Sequence, residues 1–251
     1  MSASVVLVTG ANRGIGYEIV KALVESPLPY HVFLGSRDIT KGKAAAAKLH
    51  PRSGSSISVL PLDVSSSESI ANAAATVKSE AGRLDILVNN AGIVDESPDS
   101  MTRLRNTLEI NTIAPFAVTQ AFKPLLTVQP EGAVKEKRIV YVSSGLGSIG
   151  ARLDPKNPYY GFSGTEYRMS KAALNMLAAC DAFELKDHGV KAFAFDPEFV
   201  ATELTGTPEE RRKRGALEPS VSGESCRDII EGKRDADTSK FVSINGAEWP
   251  W

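Results

Sequence analysis

The sequence predicts an α/β fold whose core is a doubly wound, mostly parallel sheet. Short runs of apolar and β-branched residues recur along the 251 residues, and stretches with helical character separate them. The runs alternate little between apolar and polar residues, which is typical of strands buried on both faces of a parallel sheet. Regular alternation of strands and helices favours right-handed crossovers that place helices on both faces.

Seven strands are predicted, which gives a seven-stranded sheet of the Rossmann type. They cover residues 5–9, 30–36, 57–62, 84–89, 138–143, 191–195 and 241–244. Helices are predicted over residues 14–26, 41–49, 101–128 and 165–186, and from Ser66 onward. Ser66 provides an N-cap for the last of these, and Glu68 places a negative charge in its first turn.

Two segments, near residues 145–165 and 205–237, break this rhythm. The first is rich in Gly, Pro and Tyr, and the second is polar and highly charged, which predicts an irregular, flexible segment. Each follows the carboxyl end of a strand, where ligands bind in open α/β sheets. Because no linker or fixed repeat divides the chain, residues 1–251 are expected to form a single domain.

Composition and charge exclude several classes of protein. With 29 basic and 30 acidic residues, the chain has no global field that would attract nucleic acid or an anionic membrane. No apolar run approaches the ~20 residues of a membrane span. Cys180 and Cys226 cannot form a disulfide framework, which indicates a reducing compartment and hence the cytoplasm. Cys180 is expected to be a buried helical residue. The cysteines and the three dispersed histidines show no metal-ligand spacing, so no metal is expected.

A glycine-rich turn, TGANRGIG, follows the first predicted strand and opens the first predicted helix. Glycines allow a backbone to approach phosphate groups, and a helix N-terminus supplies free N–H groups and a positive dipole end. The turn therefore predicts a pyrophosphate site. Its candidate cofactor-binding residues are Gly10, Asn12, Arg13, Gly14, Ile15 and Gly16.

The end of the second strand indicates which dinucleotide this site takes. An NAD-selecting site would place a carboxylate there for the ribose 2′-hydroxyl, whereas this chain has Ser36 followed by Arg37. Guanidinium groups from Arg13 and Arg37 together suit a 2′-phosphate. The pattern favours NADP(H), although the carboxylate of Asp38 follows directly.

Tyr167 and Lys171 lie four residues apart in a predicted helix and therefore one turn apart on one face. A tyrosine of pKa near 10 is a poor acid at neutral pH, and a nearby ammonium is expected to lower that pKa. Ser143 and Ser144 end the fifth strand, and they can either place a hydroxyl beside a reacting carbonyl oxygen or cap a turn. Asn111 lies inside a predicted helix although asparagine is a mediocre helix former, so its side chain is expected to have a partner.

In order along the chain, TGANRGIG, Asp63, NNAG at residues 89–92, Asn111, VSS at residues 142–144 and the segment from Tyr167 to Lys171 resemble the short-chain dehydrogenase/reductase family. The resemblance runs from Val5 to the C-terminus and falls in the single-domain, carbonyl-reductase-like branch. It implies hydride transfer between a nicotinamide and a carbonyl or alcohol carbon.

The resemblance also implies residue roles. Tyr167 would protonate the nascent alkoxide, Ser144 would hydrogen-bond the carbonyl oxygen, Lys171 would lower the pKa of the tyrosine and bind the nicotinamide ribose, and Asn111 would hold a water. The further cofactor contacts that it implies are Asp63 and Val64 at the adenine, Asn90, Ala91 and Gly92 at the adenine-side ribose, and Pro197, Val200 and Thr202 at the carboxamide.

The chain departs from the family pattern in two places. Glu198 replaces the glycine usual after Pro197, and this removes easy access to positive φ. The stretch between Ser144 and Tyr167 is long, which predicts an insertion beside the substrate pocket. In carbonyl-reductase-like relatives such an insertion can mask the usual subunit interface, so either a monomer or a homo-oligomer fits the sequence.

The leading interpretation is an NADPH-dependent carbonyl reductase, or ketoreductase, that acts on a small-molecule ketone or aldehyde. An NADP-dependent alcohol dehydrogenase working oxidatively and a non-catalytic cofactor-sensing protein of the same fold are the alternatives. A serine hydrolase and a P-loop kinase are excluded because neither G-x-S-x-G nor GxxxxGK[ST] occurs. Nothing in the sequence identifies the substrate.

Overall fold

The computed structural model of the protein describes residues 2–128 and 137–251. Its strands are β1 (Ser4–Val8), β2 (Tyr30–Ser36), β3 (Ser56–Pro61), β4 (Ile86–Asn89), β5 (Lys137–Val142), β6 (Val190–Asp196) and β7 (Phe241–Ser243). They form one seven-stranded sheet in the order β3-β2-β1-β4-β5-β6-β7. Every neighbouring pair is parallel, which confirms the predicted doubly wound α/β fold of Rossmann type.

Helices cover both faces of this sheet. They are α1 (Gly14–Val24), α2 (Ile39–Ala46), α3 (Ser67–Ala81), α4 (Ser100–Leu108), α5 (Ala114–Thr127), α6 (Ile149–Leu153), α7 (Thr165–Glu184), α8 (Pro208–Lys213) and α9 (Pro219–Ile230). Ser66 accepts a hydrogen bond from the backbone of Ser69 and so caps α3, as predicted.

Two apolar clusters fill the space between the sheet and its helices. Leu7 of β1 points into the cluster that also holds Val118 of α5 and Leu174 of α7, whereas Val6 and Val8 point into the opposite cluster with α1 and α9. This division follows from the period-two geometry of a strand. Because both faces are buried, the carboxyl ends of the strands are left as the place where loops can build a site.

The helix predicted over residues 101–128 is interrupted. The α4 and α5 helices are joined by a π-helical turn, Glu109–Ile113, which is one residue wider than an α-helical turn and contains Asn111. Such wide turns inside helices occur frequently at functional sites.

The prediction of an irregular segment near residues 205–237 is wrong, because most of it folds as α8 and α9. Pro208 and Pro219 begin these helices at positions where a missing N–H costs nothing. In α9, Cys226, Ile229 and Ile230 form a buried stripe, and its charged residues face outward. The segment near 145–165 likewise contains α6 and a 3₁₀ turn, Gly145–Gly147.

The expectation that Cys180 is buried is also wrong. Its side chain is exposed on α7, whereas Cys226 is buried between α9 and the sheet. Helical spacing alone does not identify which face of α7 packs, since the helix buries polar residues such as Asn175 and Asp181 as well as apolar ones.

Candidate active site

The glycine turn after β1 forms an open cradle at the start of α1. Gly10 and Gly14 have φ of 62° and 57°, values that favour glycine. A Cβ on Gly16 would lie 2.5 Å from Nδ2 of Asn90 and 2.7 Å from the carbonyl of Gly10. Arg13 occupies the N-cap position without a capping side-chain hydrogen bond, and Asn12 and Ile15 flank it in the turn. The backbone therefore fits the pyrophosphate of a dinucleotide.

Thr9 and Asn90 join the loops that follow β1 and β4. Nδ2 of Asn90 donates to the carbonyls of Thr9, at 2.9 Å, and Gly10, at 3.2 Å. Oγ1 of Thr9 accepts the backbone N–H groups of Asn90 and Ala91, each at 3.0 Å. The amide of Asn90 thus shapes the turn, and contact with a ribose remains a prediction for this loop. The sequence analysis assigned no role to Thr9, although it is the first residue of the motif.

Two charged residues follow β2: one carries a carboxylate that caps a helix, and the other carries an exposed guanidinium. Oγ of buried Ser36 donates to the carbonyl of Asp38 at 2.8 Å. The carboxylate of Asp38 accepts the N–H groups of Thr40 and Lys41 and caps α2. Arg37 is exposed, and the exposed guanidinium of Arg13 forms an ion pair with Glu203. The carboxylate that follows Arg37 directly in the chain is therefore engaged by a helix.

Asp63 and Val64 follow β3 at the same edge. The hydroxyl and the N–H of Ser65 donate to the carboxylate of Asp63 at 2.7 and 3.0 Å, and they lower its pKa, with a smaller contribution from the charge of Arg37. Val64 is half-buried against the core. Asp63 therefore lies near Arg37, as an adenine-side position requires.

Tyr167, Lys171 and Ser144 meet at the carboxyl ends of β5 and β6. The hydroxyl of Ser144 lies close enough to the hydroxyl of Tyr167 to lower the pKa of the phenol. Nζ of Lys171 lies 5.7 Å from the centre of the Tyr167 ring and donates to the carbonyl of Val142 at 2.8 Å. These three side chains, chosen from the sequence, therefore share one site.

The electrostatics of the pair differ from the sequence-based expectation. Burial raises the pKa of Tyr167, and the charge of Asp196 raises it further, whereas the hydrogen bond from Ser144 and the charge of Arg211 lower it. Burial lowers the pKa of Lys171 to about 8, against the opposing effect of Asp196. The lowering influence expected from Lys171 is thus exerted here by Ser144 and Arg211, because the ammonium is turned toward the carbonyl of Val142.

Asn111 is fully buried in the π-helical turn, and its side chain has the predicted partners. Its Oδ1 accepts the N–H of Ile93 at 2.8 Å, and its Nδ2 donates to the carbonyl of Ile93 at 2.9 Å and to Oγ of Ser170 at 3.1 Å. A Cβ on Gly92 would lie 3.2 Å from Oδ1 of Asn111 and 3.6 Å from Nζ of Lys171. The NNAG loop, the π-helical turn and α7 therefore come together at Lys171.

Glu198 adopts the backbone conformation that the family's glycine would provide. Its φ is 60°, which costs a non-glycine residue about 1–2 kcal/mol. Its Oε1 accepts hydrogen bonds from Oγ of Ser243 at 2.8 Å and Nδ2 of Asn245 at 3.1 Å, and these contacts hold the residue in place. The expected loss of positive φ at this position does not occur.

The segment after Glu198 returns toward the glycine turn. Cγ2 of Thr202 lies 3.4 Å from the Cβ position of Gly14, and buried Val200 bridges to Leu217. The carbonyl of Pro197 accepts Oγ of Ser222 on α9 at 3.1 Å. The predicted carboxamide contacts Pro197, Val200 and Thr202 therefore lie on a segment that contacts α9 near one end and the glycine turn near the other.

Asp196, at the end of β6, is a site residue that the sequence analysis missed. It is buried, and burial raises its pKa to about 6 against the lowering effect of the N–H groups of Glu198, which donates to its Oδ1 at 3.0 Å, and of Gly145. The indole of Trp249 lies beside it, and its Oδ2 has no hydrogen-bond partner within the described residues. Its charge acts on both Tyr167 and Lys171. An Asp directly before the Pro that ends a buried strand was the available signal.

The predicted insertion is held by contacts that the sequence analysis also missed. Arg168 donates to the carbonyls of Leu146, Tyr159 and Phe162. The ring of Tyr159 stacks on Trp249, with 5.3 Å between ring centres. The aromatic residues near the end of the chain were the unused signal.

Two searches of residues 2–128 and 137–251 had negative results. No cluster of His, Cys, Asp or Glu side chains there is arranged to hold a metal ion. No helix in this part of the chain combines the length and the apolar character that crossing a membrane requires.

Known proteins share both the sequence pattern and the fold. A sequence profile of the short chain dehydrogenase family matches residues 4–213. The chain is 36% identical to the short-chain dehydrogenase/reductase eupG of a Phoma species, over 98% of this chain and 97% of that protein. It is 33% identical to the short-chain dehydrogenase/reductase tropE of Talaromyces stipitatus, with the same two coverages.

Two solved structures have the same architecture over the full length of both chains. The NADPH-bound carbonyl reductase from chicken fatty liver superposes with a TM-score of 0.83 at 30% identity. The carbonyl reductase Sniffer of D. melanogaster superposes with a TM-score of 0.79 at 26% identity. Together with the profile match and the similarity to the two named relatives, these likenesses establish that the chain belongs to the short-chain dehydrogenase/reductase family of oxidoreductases and resembles its carbonyl reductases.

Proposed function

We propose that the protein is an NADPH-dependent carbonyl reductase that converts a ketone or aldehyde to an alcohol. The observation that carries this proposal is the convergence of Ser144, Tyr167 and Lys171 at the carboxyl end of the sheet, where Gly92 and Asn111 approach Lys171. A pure binding protein has no need for an acid, an oxygen-binding hydroxyl and a buried ammonium in one place. The chain is similar to a carbonyl reductase that is described as NADPH-bound.

The roles of the side chains follow from their positions. A bound reduced nicotinamide supplies the hydride for the carbonyl carbon. Tyr167 donates its hydroxyl proton to the carbonyl oxygen, and Ser144, whose hydroxyl lies close to that of Tyr167, holds the same oxygen. Lys171 binds the nicotinamide ribose, and the charge of Arg211 favours the phenolate that Tyr167 becomes. Asn111 fixes the π-helical turn behind Lys171 and is proposed to hold the water that links it to solvent.

The cofactor proposal rests on the distribution of charge at the end of β2. Because the carboxylate of Asp38 caps α2, the exposed guanidinium of Arg37 and the guanidinium of Arg13 are the charged groups proposed to meet a 2′-phosphate. The residues proposed to hold the remainder of the cofactor are Gly10, Asn12, Gly14, Ile15, Gly16, Ser36, Asp63, Val64, Asn90, Ala91, Gly92, Pro197, Val200 and Thr202, together with Tyr167 and Lys171.

Further proposals concern the organisation and direction of the enzyme. We propose a single domain that acts in the cytoplasm on a small molecule, with reduction as its main direction. Oxidation of an alcohol with NADP uses the same site in reverse, and the ratio of the two cofactor forms decides between them. A homo-oligomer remains a prediction, and exposed Phe116, Met176 and Phe183 on α5 and α7 offer an apolar face for a second copy.

The test is a panel of ketones and aldehydes assayed with NADPH and with NADH by nicotinamide absorbance. The wild type should reduce at least one compound, and Tyr167→Phe should lose at least 1,000-fold in kcat, because it lacks the proton donor, while its affinity for NADPH is retained. Tyr17→Phe, which removes a hydroxyl from α1 outside the site, serves as the matched control. Near-normal turnover by Tyr167→Phe would refute the mechanism, and NADPH binding without any turnover of the panel would favour the cofactor-sensing alternative.

A further inference from the structure

Three arginines are buried in the described residues, and two of them have no carboxylate partner. Arg138 pairs with Asp235, whereas no ion pair within residues 2–128 and 137–251 involves Arg168 or Arg211. A buried cation without a counter-ion loses free energy of hydration that only hydrogen bonds or a ligand can restore. Both guanidinium groups donate to loops at the carboxyl end of the sheet, Arg168 to Leu146 after β5 and Arg211 to Val200 after β6.

Arg168 is satisfied by the protein itself. Its Nε, Nη1 and Nη2 all donate to backbone carbonyls of the insertion and of Leu146. Each nitrogen has a partner, and the group ties a loop to α7. Its role is therefore accounted for without a ligand.

Arg211, on α8, is not satisfied in the same way. Its Nε donates to the carbonyl of Val200 at 2.7 Å, and its Nη1 donates to Thr205. Its Nη2 makes no hydrogen bond to any residue that the structure describes, and the guanidinium lies 4.5 Å from the centre of the Phe199 ring. One end of the planar fork is thus anchored on the segment that crosses the cofactor turn, and the other end is available.

Arg211 lies close to the reaction centre, because its Nε binds the carbonyl of Val200 in the segment that returns toward the glycine turn. The charge of Arg211 is close enough to Tyr167 to lower the pKa of the phenol. Arg214, which is exposed on the same helix, lies 5.3 Å from the centre of the Phe199 ring and adds positive charge. A guanidinium with free donors in a partly dry site binds carboxylates and other anionic oxygens strongly.

We propose that Arg211 determines substrate specificity by binding an anionic oxygen on the carbonyl substrate, beside the carbonyl group that Tyr167 protonates. The substrate class is therefore an aldehyde or ketone that carries a carboxylate or an ionised phenol. This inference rests on the proposed carbonyl reductase function and names the substrate class for that site.

The experiment compares each acidic aldehyde with its neutral methylated form at pH 8. The carboxylate pair is 3-carboxybenzaldehyde and methyl 3-formylbenzoate, and the phenolate pair is 3-hydroxy-4-nitrobenzaldehyde and 3-methoxy-4-nitrobenzaldehyde. The variants are Arg211→Gln, which removes the charge, Arg211→Lys, which keeps it, and Arg214→Gln, which changes the exposed arginine on the same helix. The kcat/KM ratio of acidic to neutral substrate cancels general effects of a variant on folding or on Tyr167.

In the wild type this ratio should exceed ten for at least one pair, and the pair identifies the source of the anionic oxygen. Arg211→Gln should lower the ratio at least tenfold, equivalent to about 1.4 kcal/mol. Arg211→Lys should retain part of it, and Arg214→Gln should retain nearly all of it. An equal ratio in the wild type and Arg211→Gln would overturn the proposal and identify Arg211 as a structural support of residues 199–205.

A binding measurement separates this proposal from the proposed function. Calorimetric titration of benzoate and of 4-nitrophenolate into the NADPH-saturated protein requires no turnover. Affinity for at least one anion should fall at least tenfold in Arg211→Gln and stay within twofold in Arg214→Gln. If the wild type reduces no aldehyde but binds the anion through Arg211, the reductase assignment fails while the anion site stands. If neither anion binds, or all variants bind equally, the anion site is refuted whatever the enzyme reduces.

Discussion

Carboxylates at strand ends behave differently in the two halves of the sheet. On the cofactor side, Asp38 after β2 and Asp63 after β3 accept N–H groups from residues two or three positions away. On the substrate side, Asp196 after β6 is buried, and its Oδ1 accepts the N–H of Glu198, also two positions away, at 3.0 Å. Unlike the other two, it also lies close enough to Gly145, in the loop after β5, for that N–H to lower its pKa. Asp38 and Asp63 thus shape one turn each, whereas Asp196 lies where two loops distant in sequence meet.

The same contrast extends to the cations and the aromatic residues. The cofactor turn is completed by glycines and by Asn90, all within recognisable motifs. The substrate side is assembled by Arg168, Arg211 and Trp249, each of which contacts another segment of the chain. The cofactor half is thus built from recognisable motifs, and the substrate half is held by single side chains that lie outside such motifs.

The largest expected effect is the pH dependence of stability that the buried carboxyl group of Asp196 causes. The pKa of this carboxyl is raised to about 6 from 3.8. Between these values the unfolded chain loses its proton before the folded chain does, so the free energy of unfolding falls by about 3 kcal/mol as pH rises from 3 to 7. Asp196→Asn should remove this fall. Urea unfolding at half-unit pH intervals, with the variant subtracted from the wild type, measures it.

Asp63→Asn provides a control of opposite sign. Because hydrogen bonds lower the pKa of Asp63, its stabilising contribution is present above the unfolded pKa and is lost as pH falls through the folded one. The two difference curves should therefore slope in opposite directions. If the curve for Asp196→Asn is flat, the carboxyl is ionised at an ordinary pKa, and the distinction between the two halves fails at this residue.

The features that could be predicted from the sequence divide in the same way, between the cofactor half and the substrate half. Strand positions, the glycine turn, Tyr167, Lys171 and Ser144 were predictable because each depends on neighbours in the chain or on a spacing of four residues. Asp196 and Arg211 were not, because their significance arises from burial beside segments that only the tertiary fold brings together. Helix α9 was missed since its polar residues outnumber the apolar stripe that packs on α1.

Removing the positive charges of Arg13 and Arg37 from the cofactor half should change the binding of the cofactor only. Arg13→Ala combined with Arg37→Ala is expected to weaken NADPH binding about 100-fold, because two charge-assisted hydrogen bonds contribute roughly 1.5 kcal/mol each. NADH binding should change less than threefold. Fluorescence titration of both cofactors measures this, with Arg52→Ala plus Arg105→Ala as a control pair of exposed arginines. An equal loss for NADPH and NADH would remove the basis for the 2′-phosphate site.

Of the two ligands, Arg168→Met should affect the binding of the substrate and not that of the cofactor. The variant loses the four hydrogen bonds that hold the insertion, and stability should fall by about 2 kcal/mol. With Tyr159 and Phe162 released, KM for a carbonyl substrate should rise about tenfold while NADPH affinity stays within threefold. Steady-state kinetics and urea unfolding measure both.

Arg152→Met is the matched control, because its exposed guanidinium also binds carbonyls of the insertion, at Tyr160 and Phe162. An exposed group competes with water for these partners, so its loss should cost less than about 0.5 kcal/mol. If Arg168→Met weakened NADPH binding as much as substrate binding, the insertion would belong to the cofactor half. The division between the half built from motifs and the half held by single side chains would then differ from the division between cofactor and substrate.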